Sequence, residues 1–301
     1  MKNLLSIEAL SPVDLIQILD FAVAMKATRG NHDAHPLKNQ CWAMIFSKSS
    51  TRTRVSFEVG IRELGGKVLF LSANDIQLGR GEPIRDTARV MGRMVHGAVI
   101  RTFAQSDIEE FAQYSGIPTI NALTDEEHPC QILADLLTIQ EKLGTFENKT
   151  ICFVGDGACN VARSWIWAAA KLNFTLKIAT PKEYQPDPAL LAAANSKGNI
   201  AVTDNLREAA AGANVLYTDV WVSMGKEAEA ELRYQQLKDY RIDSDLIKVA
   251  APGALVMHCL PAYRGKEITE EAFEANEGTI FDQAENRLHA QKAILSLIAK
   301  H

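Results

Sequence analysis

The feature that most constrains the fold is the alternation of short apolar runs with segments of helical periodicity along the 301 residues. Such alternation is typical of βαβ units, whose strands pair in parallel while helices cover the sheet. The predicted strands are residues 42–46, 68–71, 98–102, 119–122, 150–154, 176–179, 200–203, 215–218, 255–258 and 279–281.

A predicted long helix separates the strands into two groups. It begins near Pro129, carries apolar residues at helical spacing and stops at Gly144, a typical C-terminal cap. We therefore predict an α/β protein with two doubly wound parallel-sheet domains and the active site between them. The expected first domain is 1–141 plus a C-terminal helix, 285–301, and the expected second domain is 142–284.

Composition argues against several classes of function. With 37 acidic and 32 basic residues the net charge is -5, and without a long basic block neither nucleic acid nor a membrane surface is an expected partner. The N-terminus has no sustained apolar run, and no stretch of about 18 apolar residues occurs, so we expect a cytoplasmic protein. Five cysteines without C-x-x-C spacing favour reduced, mostly buried thiols, and we expect no metal and no cofactor.

Residues 49–54, Ser-Ser-Thr-Arg-Thr-Arg, lie between a predicted strand and a predicted helix at 55–64. Hydroxyls, two guanidiniums and the unpaired N–H groups of a helix start would form an anion site, with phosphate as the natural ligand. The alternative is a solvated helix cap with two surface arginines. Arg52 and Arg54 would repel each other in one helical turn unless an anion or a carboxylate compensates them, which favours the phosphate interpretation.

The segment Gly155-Asp156-Gly157 follows a predicted strand and resembles the start of a dinucleotide-binding turn. Asn160 occupies the third glycine position, and no strand ends in a clear ribose-binding acid at the expected distance. A tight strand-to-helix turn is therefore favoured over a nicotinamide site.

Polar clusters fall at other predicted strand ends. Each has a simple structural explanation alone, as an ion-pair residue, a helix cap, a turn former or a small buried thiol. Together they favour one site at the carboxyl ends of the strands. The clusters are Arg101-Thr102, His128-Pro-Cys-Gln131, Asp219-x-Trp221-x-Ser223-Met224-Gly225 and His258-Cys259-Leu260-Pro261.

In this order, Ser-Thr-Arg-Thr-Arg, His-Pro-x-Gln, Asp-x-Trp-x-Ser-Met-Gly and His-Cys-Leu-Pro resemble the motifs of the aspartate/ornithine carbamoyltransferase family. The resemblance extends from Phe46 to Gln291, nearly the entire chain. It implies transfer of the carbamoyl group of carbamoyl phosphate to the δ-amino group of L-ornithine, giving L-citrulline and phosphate in arginine biosynthesis. His-Cys-Leu-Pro with Ser-Met-Gly favours ornithine, because the aspartate branch is expected to carry a Pro-Leu-Pro-Arg-type segment.

The resemblance also assigns residues to the two substrates. Gln77 matches a residue supplied by the neighbouring subunit, which implies a homotrimer in which Gln77 reaches a neighbouring active site. The implied catalytic residues are Arg52, Arg101, His128 and Cys259. The implied carbamoyl phosphate-binding residues are Ser50, Thr51, Arg52, Thr53, Gln77, Arg101, His128, Gln131, Cys259, Leu260 and Arg287. The implied ornithine-binding residues are Asn160, Asp219, Ser223 and Met224.

The chain departs from the family pattern at three places. Tyr263 and His96 replace a common histidine and a common aspartate, and Ala158-Cys159-Asn160 replaces a usual double asparagine. The last departure adjoins the implied carboxylate site of ornithine. Three alternatives stay open: a dinucleotide-binding oxidoreductase, a non-catalytic paralogue, and a carbamoyltransferase for putrescine or an acylated ornithine. Asp219 and Ser223 argue against the third, because neither acceptor offers a free α-amino group.

Overall fold

The computed structural model describes residues 1–32, 34–72 and 81–299, which form two compact units. Unit 1 comprises Met1–Leu137 and Glu285–His301, and unit 2 comprises Thr138–Ala284. Each unit is built on one parallel β-sheet with helices between its strands, so the predicted α/β class with two parallel sheets is confirmed.

In the sheet of unit 1, the direction in which successive strands are added reverses at the centre. Its strands are β1 (Cys41–Phe46), β2 (Lys67–Ser72), β3 (Gly97–Arg101) and β4 (Thr119–Leu123), in the order β2-β1-β3-β4. Because β2 and β3 lie on opposite sides of β1, a switch point lies between β1 and β3, where open α/β sheets bind ligands. The helices are α1 (Pro12–Ala27), α2 (Thr51–Glu63), α3 (Ile84–Met91), α4 (Gln105–Ser115), the first part of α5 (Pro129–Leu143) and, from Glu285 on, the last helix, α12 (Glu277–Ile298).

Unit 2 repeats this arrangement with five strands. They are β5 (Thr150–Val154), β6 (Thr175–Ala179), β7 (Ile200–Thr203), β8 (Val215–Thr218) and β9 (Leu255–His258), in the order β7-β6-β5-β8-β9. Its switch point therefore lies between β5 and β8. The helices are α6 (Asn160–Lys171), α7 (Pro188–Ala194), α8 (Leu206–Ala210), α9 (Ala230–Leu237), α10 (Ser244–Ile247), α11 (Glu270–Ala275) and the start of α12 (Glu277–Ile298).

Local sequence explains why these elements form. The central strands β1 and β3 are almost wholly buried, as their continuous apolar sequences predict. Gly97 has no alternative in β3, because a Cβ there would lie 2.5 Å from the ring of Trp42. Gly144 follows α5 with φ +76°, so the predicted glycine cap is confirmed.

Nine of the predicted strands are confirmed, with bounds that differ by at most one residue. The predicted strand at 279–281 is wrong, because these residues lie in the first turns of α12. A short apolar run does not by itself distinguish strand from helix, and here the helical spacing continues through Leu288, Ile294 and Leu295, all buried. Among the described residues, no helix combines the length and the apolar character needed to cross a bilayer.

Candidate functional site

The predicted anion site begins where β1 and β3 end side by side. Phe46 pairs with Arg101 in the parallel ladder, and the Ser47 N–H donates to the Arg101 carbonyl at 2.8 Å. The segment leading from β1 to α2 therefore starts directly beside Arg101, which is only 5% exposed. The register of two neighbouring strands thus joins two motifs that are about 50 residues apart in the sequence.

Ser50 begins the anion-binding helix start. It is the N-cap of α2, and its Oγ accepts from the Thr53 N–H at 3.3 Å and donates to Thr53 Oγ1 at 2.9 Å. The next residues, Thr51 and Arg52, are exposed and half-buried, respectively. The free N–H groups of this first turn and the helix dipole both favour a negatively charged ligand.

Arg287 of α12 reaches the same helix start. Its Nη2 donates to Thr53 Oγ1 at 2.6 Å, and both side chains are buried. Because the Thr53 hydroxyl oxygen accepts from Ser50 and from Arg287, its own proton remains to be donated to a ligand. Sequence reasoning placed Thr53 and Arg287 in one site, and the structure brings them into direct contact.

His128 lies just before α5 and is 4% exposed. Burial, followed by the positive charges of Arg287 and Arg101, lowers the pKa of His128 well below 6.5. The imidazole is therefore neutral at physiological pH and can offer a single N–H donor. The lowered pKa also indicates that Arg287 and Arg101 lie close enough to His128 for their charges to act on it.

Gln131 occupies the first turn of α5 and is 1% exposed. Its Nε2 donates to Asp135 Oδ1 at 2.8 Å, which fixes the orientation of the amide. Within the described part of the chain its Oε1 is buried and accepts no hydrogen bond. A buried amide oxygen in this state is suited to accept from an N–H group of a ligand.

Arg54 does not join this group, which corrects the expectation that two guanidiniums converge on one anion. Its guanidinium lies 3.7 Å from the ring centre of Phe70, and its Nε is 3.7 Å from the Glu58 carboxylate. Glu58 is therefore the compensating carboxylate for Arg54. Crowding of Arg52 against Arg54 no longer supports a phosphate, and the argument depends instead on Ser50, Thr53 and Arg287.

Lys48 is a cation that sequence reasoning missed. Its side chain is buried, forms an ion pair with Asp125, and places Nζ 4.3 Å from the centre of the Phe103 ring. It stands two residues before Ser50, at the end of β1. The signal in the sequence was a lysine two residues after a fully apolar strand, a place where a charge is seldom buried without a function or a partner.

The ends of β5, β8 and β9 form the corresponding edge of unit 2. Val154 pairs with Thr218, and Thr218 pairs with His258, so the three strands end in register. The residues that follow these ends include Asn160, Asp219 and Cys259. Two of the sequence clusters and the helix that follows the Gly155–Gly157 turn therefore meet at one edge of the sheet.

Asp219 and Cys259 are in direct contact. The Cys259 thiol donates to Asp219 Oδ1 at 2.8 Å, and the Val220 N–H donates to the same oxygen at 2.7 Å. Burial raises the pKa of Asp219, while the nearby His258 and the two hydrogen bonds oppose this change. A buried carboxylate of this kind is suited to a cationic ligand, because the ligand charge would stabilise the ionised form.

Asn160 is the first residue of α6 and follows a tight turn. Asp156 Oδ1 accepts from the Ala158 N–H at 3.0 Å, and Cys159 is the N-cap of the helix. Gly157 is needed for packing, because a Cβ there would lie 2.9 Å from Ile178 and 3.0 Å from the Tyr184 carbonyl oxygen. Close packing at Gly157 and the φ of +122° at Gly155 explain both glycines without a dinucleotide.

The segment after Asp219 carries the other two predicted ornithine-binding residues. Ser223 is half-buried, and its carbonyl accepts from the Lys226 N–H at 3.0 Å in a turn that contains Gly225 at φ +94°. Met224 is 43% exposed. A buried ion pair supports this segment, since Arg233 Nη1 donates to Asp156 Oδ2 at 2.8 Å and to the Trp221 carbonyl at 3.3 Å.

One group of described residues offers metal ligands. Atoms of Asp219, His258 and Cys259 lie within 4.8 Å of one another. Both ring nitrogens of His258 are already engaged, Nδ1 by the Leu260 N–H at 2.9 Å and Nε2 by Glu267 at 3.0 Å. Metal binding by all three side chains would have to break one of these hydrogen bonds.

The predicted site residues thus form two sets. Gln77 lies outside the described residues. The set in unit 1 is Ser50, Thr51, Arg52, Thr53, Arg101, His128, Gln131 and Arg287, and the set in unit 2 is Asn160, Asp219, Ser223, Met224, Cys259 and Leu260.

Comparison with known proteins finds two family domains that together cover nearly the whole chain. Residues 2–141 match the carbamoyl-P binding domain of aspartate/ornithine carbamoyltransferase, and residues 147–298 match the Asp/Orn binding domain. Ornithine carbamoyltransferase of Akkermansia muciniphila is 57% identical over 99% of this chain and 98% of its own, and that of Campylobacter fetus is 50% identical over 98% and 97%.

Solved structures resemble the fold equally closely. Ornithine carbamoyltransferase from Pyrococcus furiosus superposes with a TM-score of 0.93 at 43% identity, covering 99% of this chain and 97% of that one. The anabolic enzyme from Campylobacter jejuni gives a TM-score of 0.94 at 40% identity, covering 100% and 99%. On the strength of both domain matches and of relatives aligned end to end, the chain belongs to the aspartate/ornithine carbamoyltransferase family.

Proposed function

We propose that this protein transfers the carbamoyl group of carbamoyl phosphate to the δ-amino group of L-ornithine, with L-citrulline and phosphate as products. The observation that carries the proposal is the buried contact between Arg287 and Thr53 at the N-terminus of α2, beside Arg101 and His128. It forms a cationic helix start at which a phosphate ligand would be held by charge and by backbone N–H groups. Relatives aligned over almost the full chain carry the name of this activity.

Each polar group of carbamoyl phosphate has a matching set of side chains in unit 1. Its phosphate would bind at Ser50, Thr51, Arg52 and Arg287, where charge-assisted hydrogen bonds are strong. Its carbonyl oxygen would accept from Thr53, Arg101 and the neutral His128. Its amino group would donate to the buried Oε1 of Gln131, whose Nε2 already donates to Asp135.

Ornithine fits the groups of unit 2. Asp219 and Ser223 would bind the α-amino group, and Asn160 with the backbone near Met224 would bind the α-carboxylate. Asp219 is the only predicted site residue with an ionisable carboxyl group, and it is buried at 9% exposure, so a ligand ammonium would offset its desolvation. Cys259 and Leu260 would lie beside the δ-amine, with their carbonyls accepting hydrogen bonds from the substrates.

The reaction is an acyl transfer. The δ-nitrogen attacks the carbonyl carbon, a C–N bond forms, and the C–O bond to phosphate breaks as that oxygen takes the electron pair. An alkylamine with a pKa of about 10.4 is neutral in roughly one molecule in 2,500 at pH 7, so deprotonation costs about 4.6 kcal/mol. A site that excludes water beside arginines would lower this cost, and Cys259 and Asp219, which are hydrogen-bonded to each other, would orient or relay the departing proton.

The direct test is an acceptor panel. Purified protein would receive carbamoyl phosphate together with ornithine, putrescine, N-acetylornithine or aspartate, and the carbamoylated product would be measured by mass spectrometry. We expect citrulline from ornithine and at most traces from the other three. Product from putrescine or N-acetylornithine at a comparable rate would contradict the assignment of Asp219 to an α-amino group, and no product from any acceptor would favour a non-catalytic paralogue.

We further propose a homotrimer in the cytoplasm, with the domains divided at 141/142 and at 284/285. Exposed apolar side chains on unit 1, including Val55 at 55%, Leu69 at 42% and Met94 at 71%, support association of copies. Native mass spectrometry would give the subunit number.

The role of Gln77 at a neighbouring subunit's site has its own test. Gln77→Ala and Arg101→Ala proteins, each inactive alone, would be unfolded together and refolded to form mixed trimers. We expect some active sites with both residues intact and a partial return of activity. Mixed trimers without activity would contradict the shared site.

A further inference from the structure

The buried carboxylate of Glu267 takes no part in the proposed reaction, yet it lies behind the segment that carries Cys259 and Leu260. Glu267 is 1% exposed and stands eight residues after Cys259, outside every motif that carries the family resemblance. Burying a carboxylate is costly unless hydrogen bonds compensate it, so its contacts show what it supports.

Its Oε1 atom makes two contacts. It accepts from the Tyr263 N–H at 2.6 Å, and it lies 3.0 Å from His258 Nε2. On the other side of the ring, His258 Nδ1 accepts from the Leu260 N–H at 2.9 Å. Because Nδ1 is the acceptor, the ring proton is on Nε2 and is donated to Glu267.

Two hydrogen bonds therefore connect the Leu260 N–H, through the His258 ring, to the Glu267 carboxylate. They link Glu267 to the turn formed by residues 259–263. Leu260 has φ +58°, a left-handed conformation that a branched side chain seldom adopts without support. The Leu260 N–H is the group that donates to His258 Nδ1. The Lys266 N–H donates to the Tyr263 carbonyl at 2.9 Å and closes the next turn, at 263–266.

We propose that Glu267 is a positioning residue of the reaction centre, holding His258 and the 259–263 turn so that the Cys259 thiol and the Leu260 carbonyl keep their places. The inference rests on the proposed function for what the turn does in catalysis. The direct consequence in the protein is the Cys259–Asp219 hydrogen bond of 2.8 Å, which depends on where the turn begins. Displacement of a reacting group by about 1 Å can cost on the order of a hundredfold in rate.

Two substitutions of Glu267 distinguish the effect of its side-chain length from the effect of its charge. Glu267→Asp keeps the charge but withdraws the carboxylate from Tyr263 and His258, and we expect kcat to fall about 10- to 100-fold, with the KM for carbamoyl phosphate within about twofold. Glu267→Gln loses the charge but keeps an oxygen that can accept both hydrogen bonds, and we expect kcat within about fivefold of wild type. The matched control is Glu270→Gln, which removes an exposed carboxylate bonded to Arg264 at 2.7 Å, with no expected change in kcat.

A second readout follows the turn without any substrate. The rate of Cys259 alkylation by iodoacetamide, measured by peptide mass spectrometry, should rise at least about threefold in Glu267→Asp, because the thiol is buried and hydrogen-bonded only while the turn is held. Glu267→Gln and Glu270→Gln should alkylate as wild type does. A role in overall stability alone would lower Tm without changing the ratio of these rates in folded protein.

The proposal stands if Glu267→Asp loses kcat and gains Cys259 reactivity while Glu267→Gln keeps both near wild type. Any other pattern overturns it, including equal loss in both variants or loss of kcat with unchanged alkylation. Should Glu267→Asp fail to fold, His258→Ala interrupts the same path and is judged by the same two readouts. Absence of citrulline from the wild-type protein would refute the proposed function, while the alkylation comparison would still decide the role of Glu267.

Discussion

The two units hold their predicted substrate groups in different ways. In unit 1, Arg287 meets Thr53 across 234 residues of sequence, so the anion site depends on the packing of α12 against α2. In unit 2, Asp219 and Cys259 leave neighbouring strands and meet through the register of β8 and β9. The first site therefore depends on how two helices pack, and the second on where two strands end.

The two sites also differ in charge. Burial lowers the pKa of His128, and the positive charges of Arg287 and Arg101 lower it further, so the polar groups of unit 1 form a cationic environment. Unit 2 offers a buried carboxylate, Asp219, with a raised pKa. The difference corresponds to the two substrates, since one is a phosphate and the other carries an ammonium group.

The largest expected effect separates the two units. Arg52→Ala should lower kcat/KM for carbamoyl phosphate by about a thousandfold or more, because a cation at the phosphate and at the developing negative charge is lost. Steady-state kinetics with each substrate varied in turn measures this. Arg62→Ala is the control, since Arg62 is on the same helix and its side chain is 62% exposed and paired with Glu58. Equal losses in both variants would show that helix charge in general, and not Arg52, binds the phosphate.

The converse change is in unit 2. Asp219→Asn should lower kcat/KM for ornithine by about a hundredfold, since a buried charged partner is lost, and should leave the KM for carbamoyl phosphate within about twofold. Asp245→Asn, at a surface ion pair with Lys248, is the matched control. Weaker binding of carbamoyl phosphate in Asp219→Asn, to the same extent as ornithine, would break the division between the units.

A smaller effect tests the helix contact itself. Arg287→Lys keeps the charge but loses the planar fork that reaches Thr53, and we expect the KM for carbamoyl phosphate to rise about 10- to 30-fold. The control is Arg29→Lys, at a partly exposed ion pair with Glu63. A wild-type KM in Arg287→Lys would mean that charge alone suffices and that the geometry of this contact is unimportant.

The smallest effect is on stability and concerns pH. His128 is neutral in the folded protein because its pKa lies well below 6.5, so the unfolded chain takes up a proton first as pH falls. Its contribution to stability is fully present above pH 6.5, and each further pH unit downward costs up to about 1.4 kcal/mol until the folded pKa is reached.

Urea unfolding at pH 7.5 and pH 5.5 tests this prediction. His128→Gln should lose about 1 kcal/mol less free energy of unfolding than wild type on acidification, because the variant has no group to protonate at that position. His32 and His289, whose pKa values are also lowered by burial, should leave a residual slope in both proteins. An equal loss of free energy of unfolding in wild type and His128→Gln between pH 7.5 and pH 5.5 would contradict the electrostatic environment assigned to His128.

The strands were predictable because buried parallel strands are short apolar runs bounded by turn residues. The error at 279–281 arose where that signal is weakest, in a three-residue run that α12 absorbs. The positions of the switch points are harder to predict from the sequence, because strand order depends on how helices cover a sheet and not on any one segment. Even so, the polar residues at strand ends marked both sites.

The features of the sites that were missed differ in whether the sequence could have predicted them. The Arg54–Glu58 interaction is local and could have been anticipated from i, i+4 spacing. The Thr53–Arg287 contact is not local, and periodicity does not predict which residue of one helix meets which residue of another. Glu267 was missed because it would act through His258 and Tyr263, so its sequence context carries no catalytic pattern.

A crystal structure with phosphonoacetamide, in which a CH₂ group replaces the bridging oxygen of carbamoyl phosphate, tests the division of substrates most directly. We expect the phosphonate at the N-terminus of α2 against Arg52 and Arg287, and the amide oxygen within hydrogen-bond distance of Thr53, Arg101 and His128. A fully occupied ligand at the Gly155–Gly157 turn or beside Asp219, with the start of α2 empty, would contradict it.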